Sequence, residues 1–93
     1  MTIKVITDTI DAENTFSDPT ILHGEFNFTL AGTWEATVYL QKRYGSTGDW
    51  IDVETYSTNT SVIGSEPESD VYWRFGVKTG GFTSGAVAGR LSQ

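Results

Sequence analysis

Residues 33–56, TWEATVYLQKRYGSTGDWIDVETY, leave few folds open to this chain. Trp34, Ala36, Val38 and Leu40 alternate with Thr33, Glu35, Thr37, Tyr39 and Gln41, the two-residue period of a β-strand with one buried face. Gly45 and Gly48 in the following YGSTGD segment supply the positive φ that a short hairpin loop requires. A return strand then opens at Trp50. Its inward set is expected to be Ile51, Val53 and Thr55, or else Trp50 closing over the end of the core, with a bulge reconciling the two.

The same alternation recurs along the chain. In 21–30 it sets Phe26, Phe28 and Leu30 against Glu25, Asn27 and Thr29, and the two residues Ala31 and Gly32 then predict antiparallel pairing with the strand at Thr33. In 71–79 Val71, Trp73, Phe75 and Val77 share one face, while Tyr72, Arg74, Gly76 and Lys78 share the other. Gly80 and Gly81 predict a hairpin after it, leading to a closing strand in 84–93 with Val87, Gly89 and Leu91 on one face. Val62 and Ile63 make a shorter strand, before a turn organised by Gly64 and Pro67. About seven strands at this spacing predict an all-β chain: an antiparallel β-sandwich of immunoglobulin or fibronectin type III kind, or else a small barrel, with the Trp-bearing central strand and the lack of a disulfide favouring the fibronectin-like sandwich.

The first 18 residues read differently. Residues 2–7 are β-branched and fit a short edge strand, but Asp8, Asp11, Glu13 and Asp18 follow with few large apolar groups. Thr, Asn and Asp disfavour helix, and Pro19 ends the window. The division expected is an acidic N-terminal strand or arm over 1–18 and a sandwich domain over 19–93, the arm gaining order against a partner.

A chain of 93 residues buries only about 60–65% of its unfolded surface, so its core is thin. It has no cysteine to staple that core, which leaves the work to three Trp, five Phe and four Tyr and is compatible with folding in a reducing cytoplasm. Twelve acidic residues against six basic give a net charge of −6, and no basic patch exceeds the Lys42–Arg43 pair; both argue against nucleic acid as a partner. No run approaches the length of a membrane span, and the N-terminus has no signal-peptide pattern, so no membrane partner and cytoplasmic synthesis are expected.

Catalytic equipment is sparse. His23 is the single histidine, so neither a Ser-His-Asp nor a Cys-His nucleophile system assembles, and a strand-end residue near solvent is the expectation for it. Two acidic groups, Asp8/Asp11/Glu13 and Glu66/Glu68/Asp70, lack the spacing of a calcium loop and read as solvated faces. No catalytic, metal or cofactor site is expected, and the chain reads as a non-enzyme. Candidate partner-binding residues are Asp8, Asp11, Glu13 and Phe16 of the acidic segment, with Tyr39, Tyr44 and Tyr72 as aromatics exposed for contact.

Three segments carry a resemblance. In LQKRYGSTGDWIDVETYS the residues concerned are Leu40, Gln41, Arg43, Trp50, Asp52, Val53, Glu54 and Tyr56. In GSEPESDVYWRFGVKTG they are Gly64, Glu66, Arg74, Gly76, Val77, Lys78, Thr79 and Gly80. In FTSGAVAGRLSQ they are Thr83, Ser84, Gly85, Val87, Arg90, Leu91, Ser92 and Gln93. Together they resemble small structural proteins of tailed-bacteriophage virions, with Phe82 in place of the usual Tyr and a shorter turn before Trp50. The resemblance implies a virion component made in the host bacterial cytoplasm: a head decoration or cement protein bound to the major capsid protein or other virion proteins. Homo-oligomer formation is compatible with that role. The alternatives are a tail or neck accessory and a host-surface carbohydrate-binding adhesion module.

Overall fold

A strand with one apolar face needs a second apolar face to cover it, and the chain provides one by dividing its strands between two sheets. The computed structural model describes residues 4–93. Among these there is no helix, so none long and apolar enough to cross a membrane. One sheet runs β1 (Val5–Ile10), β11 (Val87–Ser92), β4 (Gly24–Ala31), β8 (Thr60–Glu66). The other runs β2 (Thr15–Phe16), β9 (Val71–Val77), β6 (Val38–Tyr44), β7 (Ile51–Tyr56), with β3 (Thr20–Ile21) also on β9. A separate pair joins β5 (Trp34–Ala36) to β10 (Phe82–Gly85). Every pairing is antiparallel, and the two larger sheets face one another in a sandwich-like arrangement.

These are eleven segments where the sequence pattern leads to about seven. Four of the eleven, β2, β3, β5 and β10, are only two to four residues long. They are pieces too short to show alternation. β2 and β3 are one edge strand against β9 interrupted at Asp18 and Pro19, which suits a residue that has no N–H to give a ladder.

Phe26, Phe28 and Leu30 of β4, Val71, Trp73, Phe75 and Val77 of β9, and Val87 and Leu91 of β11 are all buried, as their alternation predicts. Phe28 meets Phe75 across the sandwich at 5.6 Å between tilted rings, and Phe26 meets Trp73 at 4.8 Å. The layers come this close because residue 89 is glycine. A Cβ there would collide with the Phe75 ring.

Sheet membership departs from expectation at two connections. Ala31 and Gly32 do not fold β4 and β5 into a hairpin: β4 is paired on both sides, by β11 and β8, so neither of its edges is open to β5. Gly32, at φ 108°, instead carries the chain out of the sheet. Its missing Cβ admits the Ala86 carbonyl oxygen, which would lie at 2.7 Å from it. Likewise the turn at Gly80 and Gly81 leads not to a partner of β9 but to β10, which pairs with β5. Gly64 belongs to β8 rather than to the turn after it.

The return strand β7 is also corrected. Pairing passes from Leu40 opposite Glu54 to Gln41 opposite Asp52, leaving Val53 as the extra residue of a bulge. Ile51 and Val53 are 44% and 43% exposed because β7 is an edge strand that overhangs the core. Tyr56 alone reaches inward, its ring 5.4 Å from that of Phe28. Thr55 lies opposite Tyr39 on the outer face.

The acidic segment is built into the sandwich. Thr2 and Ile3, expected to open its strand, lie outside the described residues. β1 pairs along its length with β11, placing Ile6 opposite Leu91 and Ile10 opposite Val87, and Ile10 is fully buried. Ser17 is buried too: its N–H donates to the Phe75 carbonyl at 2.8 Å and its Oγ accepts from the Phe75 N–H at 3.1 Å. The chain thus crosses from the edge of one sheet to the edge of the other within residues 11–14.

Ile10→Ala is therefore expected to destabilise the protein by about 2–5 kcal/mol. Val5→Ala, at a position 42% exposed on the same strand, should change stability by less than about 0.5 kcal/mol. Urea denaturation of the two variants measures the contrast; equal, small losses would mean that the segment is an arm after all.

Candidate functional site

The outward-facing residues of β6 and β9 are the place where side chains with chemistry to offer come together. Antiparallel pairing sets Tyr39 beside Gly76, Gln41 beside Arg74 and Arg43 beside Tyr72, each pair on one side of the sheet. Phe16 of β2 is opposite Gly76 from the other flank, and its ring lies where a Cβ on residue 76 would be. Trp50, just before β7, folds onto this outer face and not over the end of the core.

Cations and rings alternate across the face. Arg74 has its guanidinium carbon 4.0 Å from the Phe16 centroid and 4.2 Å from the Trp50 centroid. Arg43 lies 4.6 Å from Trp50 and 5.6 Å from Tyr72. The order of contacts is Phe16, Arg74, Trp50, Arg43, Tyr72, and each contact is favourable because the ring face is the negative end of its quadrupole.

A hydrogen-bonded line continues from Arg74. Its Nε donates to Gln41 Oε1 at 2.8 Å, Gln41 Nε2 donates to Asp52 Oδ1 at 2.8 Å, and Lys78 Nζ pairs with Asp52 Oδ2 at 2.7 Å. Lys78 Nζ also sits 4.3 Å from the Tyr39 ring. The bond from Lys78, then that from Gln41, holds the Asp52 carboxyl below its usual pKa of 3.8. Burial, and then the charge of Arg43, lowers the pKa of Arg74.

A second ionic contact lies inside the sandwich at its end. Glu66 is 2% exposed and takes the Glu68 N–H at 3.0 Å and Lys42 Nζ at 3.5 Å. Partial burial lowers the pKa of Lys42, but Tyr44 and the Glu66 charge together outweigh it and the net shift is upward.

Three of the expected contact residues, Phe16, Tyr39 and Tyr72, meet on the outer face. Tyr44 does not: it is 51% exposed at the end of β6, beside Lys42 at 5.4 Å. Nor do the acidic three. Asp8 is in β1 of the other sheet, Asp11 is exposed in the crossing, and Glu13 accepts the Gly80 N–H at 2.7 Å, which fixes the turn after β9. Arg43, Arg74, Gln41, Asp52, Lys78 and Trp50 are the site residues that reading by segment misses. Along the sequence the basic residues look scattered, whereas register brings Arg43 and Arg74 onto one surface and Lys78 joins it over the Tyr39 ring.

His23 is exposed at the start of β4, its Nδ1 donating to the Glu68 carbonyl at 3.1 Å. Among the described residues no three His, Cys, Asp or Glu side chains gather as a metal set. A groove of about 250 Å³ opens between β7 and β8, floored by Phe26, Leu40 and Trp73.

Because folding lowers the Asp52 pKa, the stability it adds is complete above the ordinary carboxylate range. It is lost as pH falls through about 4 and on through the lower folded value. Asp52→Asn should therefore flatten the acid limb of stability against pH below about pH 4, a small effect since the pair is at the surface. Denaturation midpoints of both proteins across that interval provide the check, and identical slopes would count against the Asp52 network.

Comparison of the chain with protein-family models, with curated proteins and with solved structures finds no match.

Proposed function

We propose that this protein is a non-enzymatic structural component of a tailed-bacteriophage virion, a head decoration or cement protein that adheres through the outer face of β6 and β9. The observation that carries the reading is an overlap of two sets. Seven of the twenty-four residues that carry the resemblance to phage proteins, Gln41, Arg43, Trp50, Asp52, Arg74, Gly76 and Lys78, lie together on the outer face, beside Phe16, Tyr39 and Tyr72. A surface rich in Arg, Trp and Tyr has the composition of protein-binding hot spots. An outward sheet face suits a lattice of protein subunits better than it suits an enclosed substrate.

The finer fold reading goes with this. Pairing of β4 with β8, of β6 with β7 and of β6 with β9 agrees with an immunoglobulin or fibronectin type III sandwich. The closing strand differs: it lies between β1 and β4, where that fold has it beside the equivalent of β9. We read the chain as a variant of that sandwich with its last strand moved to the opposite sheet.

Co-sedimentation of the protein with purified phage heads, followed by electron microscopy of the decorated particles, tests the assignment. Density for the chain on the head surface is expected. Tyr39→Ala combined with Trp50→Ala should weaken particle binding by about 30-fold or more, the scale of a hot-spot loss near 2 kcal/mol. Density at the neck or tail would move the protein there, and glycan binding without particle binding would replace the reading with a carbohydrate adhesin.

A further inference from the structure

We infer that Arg43 and Arg74 form a binding site for carboxylates, occupied by acidic side chains of a partner protein docked on the outer face. The inference deepens the adhesive reading of that face and rests on it for the nature of the partner; the anion site itself follows from the two guanidiniums alone.

Carboxylates outnumber cations twelve to six in this chain, yet among the described residues only two of the six cations have one at salt-bridge distance; of the other four, Lys4 bonds the Ile21 carbonyl and Arg90 stands apart on β11, whereas Arg43 and Arg74 adjoin one another. Lys42 is matched to Glu66 and Lys78 to Asp52. Arg43 and Arg74, diagonal neighbours on adjacent strands, have no carboxylate at salt-bridge distance among the described residues. They have each other instead. Like charges held over one indole oppose one another, and the lowered pKa of Arg74, caused by burial and then by Arg43, reflects it. An oxyanion reaching both guanidiniums would convert this repulsion into attraction.

The rings determine which part of each guanidinium remains for a ligand. Aromatic contacts put the guanidinium carbons 4.0–4.6 Å from ring centroids, and the N–H donors lie in the guanidinium plane, so what a ligand can bond is the edge of each group. Arg74 spends only Nε on the protein, on Gln41. Arg43 Nε is buried without an acceptor and is closed to a ligand, so on both side chains it is the terminal nitrogens, which make no hydrogen bond to the described residues, that remain. Two pre-positioned, planar forks with unused terminal donors match the bidentate geometry of carboxylates. Their packing against Phe16, Trp50 and Tyr72 means that little side-chain entropy remains to be lost when an anion arrives.

Polyphosphate chains are disfavoured as the occupant. Nucleic-acid affinity grows with the number of phosphates neutralised, and two adjoining cations without carboxylate partners, on a chain of net charge −6, neutralise too few. Arg90, the remaining arginine, is exposed in β11 of the opposite sheet and offers an internal control.

The test is a titration of the full chain with a hexaglutamate peptide, with inorganic phosphate and with acetate, following the arginine Nε–H signals by NMR. Saturable shifts at Arg43 and Arg74 with the peptide, and none at Arg90, are expected. Arg43→Gln and Arg74→Gln should each weaken peptide binding by about tenfold or more, as for loss of one charge-assisted bond, and Arg90→Gln should not. If a variant fails to fold, the residue-specific shifts of the unaltered protein still decide. Absence of saturable shifts, or equal shifts at Arg90, would overturn the site, and tighter binding of phosphate than of the peptide would overturn the carboxylate assignment. A protein that binds the peptide but not phage heads leaves this site standing and removes the virion reading; undiminished head binding by the double Gln variant does the reverse for the site's role in docking.

Discussion

The contact between Phe75 and the backbone of residue 89 sets the spacing on which the rest of the sandwich depends. Phe75 is on the central strand of one sheet, β9, and Gly89 on an inner strand of the other, β11. With any side chain at 89 the ring would have to withdraw, and Phe28 of the adjacent strand, packed against it at 5.6 Å, would lose its partner. A chain of this length has no second core to fall back on. That is why its buried surface is concentrated in a few large rings set against a position with no side chain, and why β11 must lie in the middle of its sheet rather than at an edge.

From that requirement the unusual course of the chain follows. Since β11 occupies the place beside β4, and β8 the place on β4's other side, β5 cannot return along β4 although only Ala31 and Gly32 separate them. β5 leaves to pair with β10, and β6 enters the opposite sheet. The N-terminal segment then takes the two edges that remain near β11 and β9, with Ile10 filling the core and Ser17 satisfying both backbone groups of Phe75. A leading segment poor in large apolar groups is thus as much part of the core as the strands that look like it.

Which face of each strand is buried was legible in the sequence, because alternation is a local property: Phe26/Phe28/Leu30, Trp73/Phe75/Val77 and Val87/Leu91 are all inside. Which strand pairs with which was not, because short connections favour hairpins only where an edge is free. Alternation also fails at edges. On β7, Ile51 and Val53 have the right residue types but overhang the core, and the bulge at Val53 brings Tyr56 in their place. The candidate site was half legible for the same reason. Outward positions of β6 and β9 can be read from period two, yet Tyr39 and Tyr72 were the ones that stood out, since aromatic residues draw attention singly and Arg43 and Arg74 have meaning only as neighbours.

The outer face shows how a strongly acidic chain can keep a cationic surface. Acidic side chains are available, but those of Asp8, Asp11 and Glu13 lie on other elements, and Glu66 is committed to Lys42 inside the sandwich. Asp52, the one carboxylate tied into the face, bonds to Lys78 and Gln41 and not to either arginine. Gln41 is what keeps it apart. Bridging Asp52 to Arg74 through a neutral amide aligns the guanidinium without neutralising it, whereas a carboxylate at position 41 would cancel the charge. Orientation and charge are thereby supplied by different residues, and that separation leaves the two guanidiniums held in place and still able to attract an anion from outside the chain.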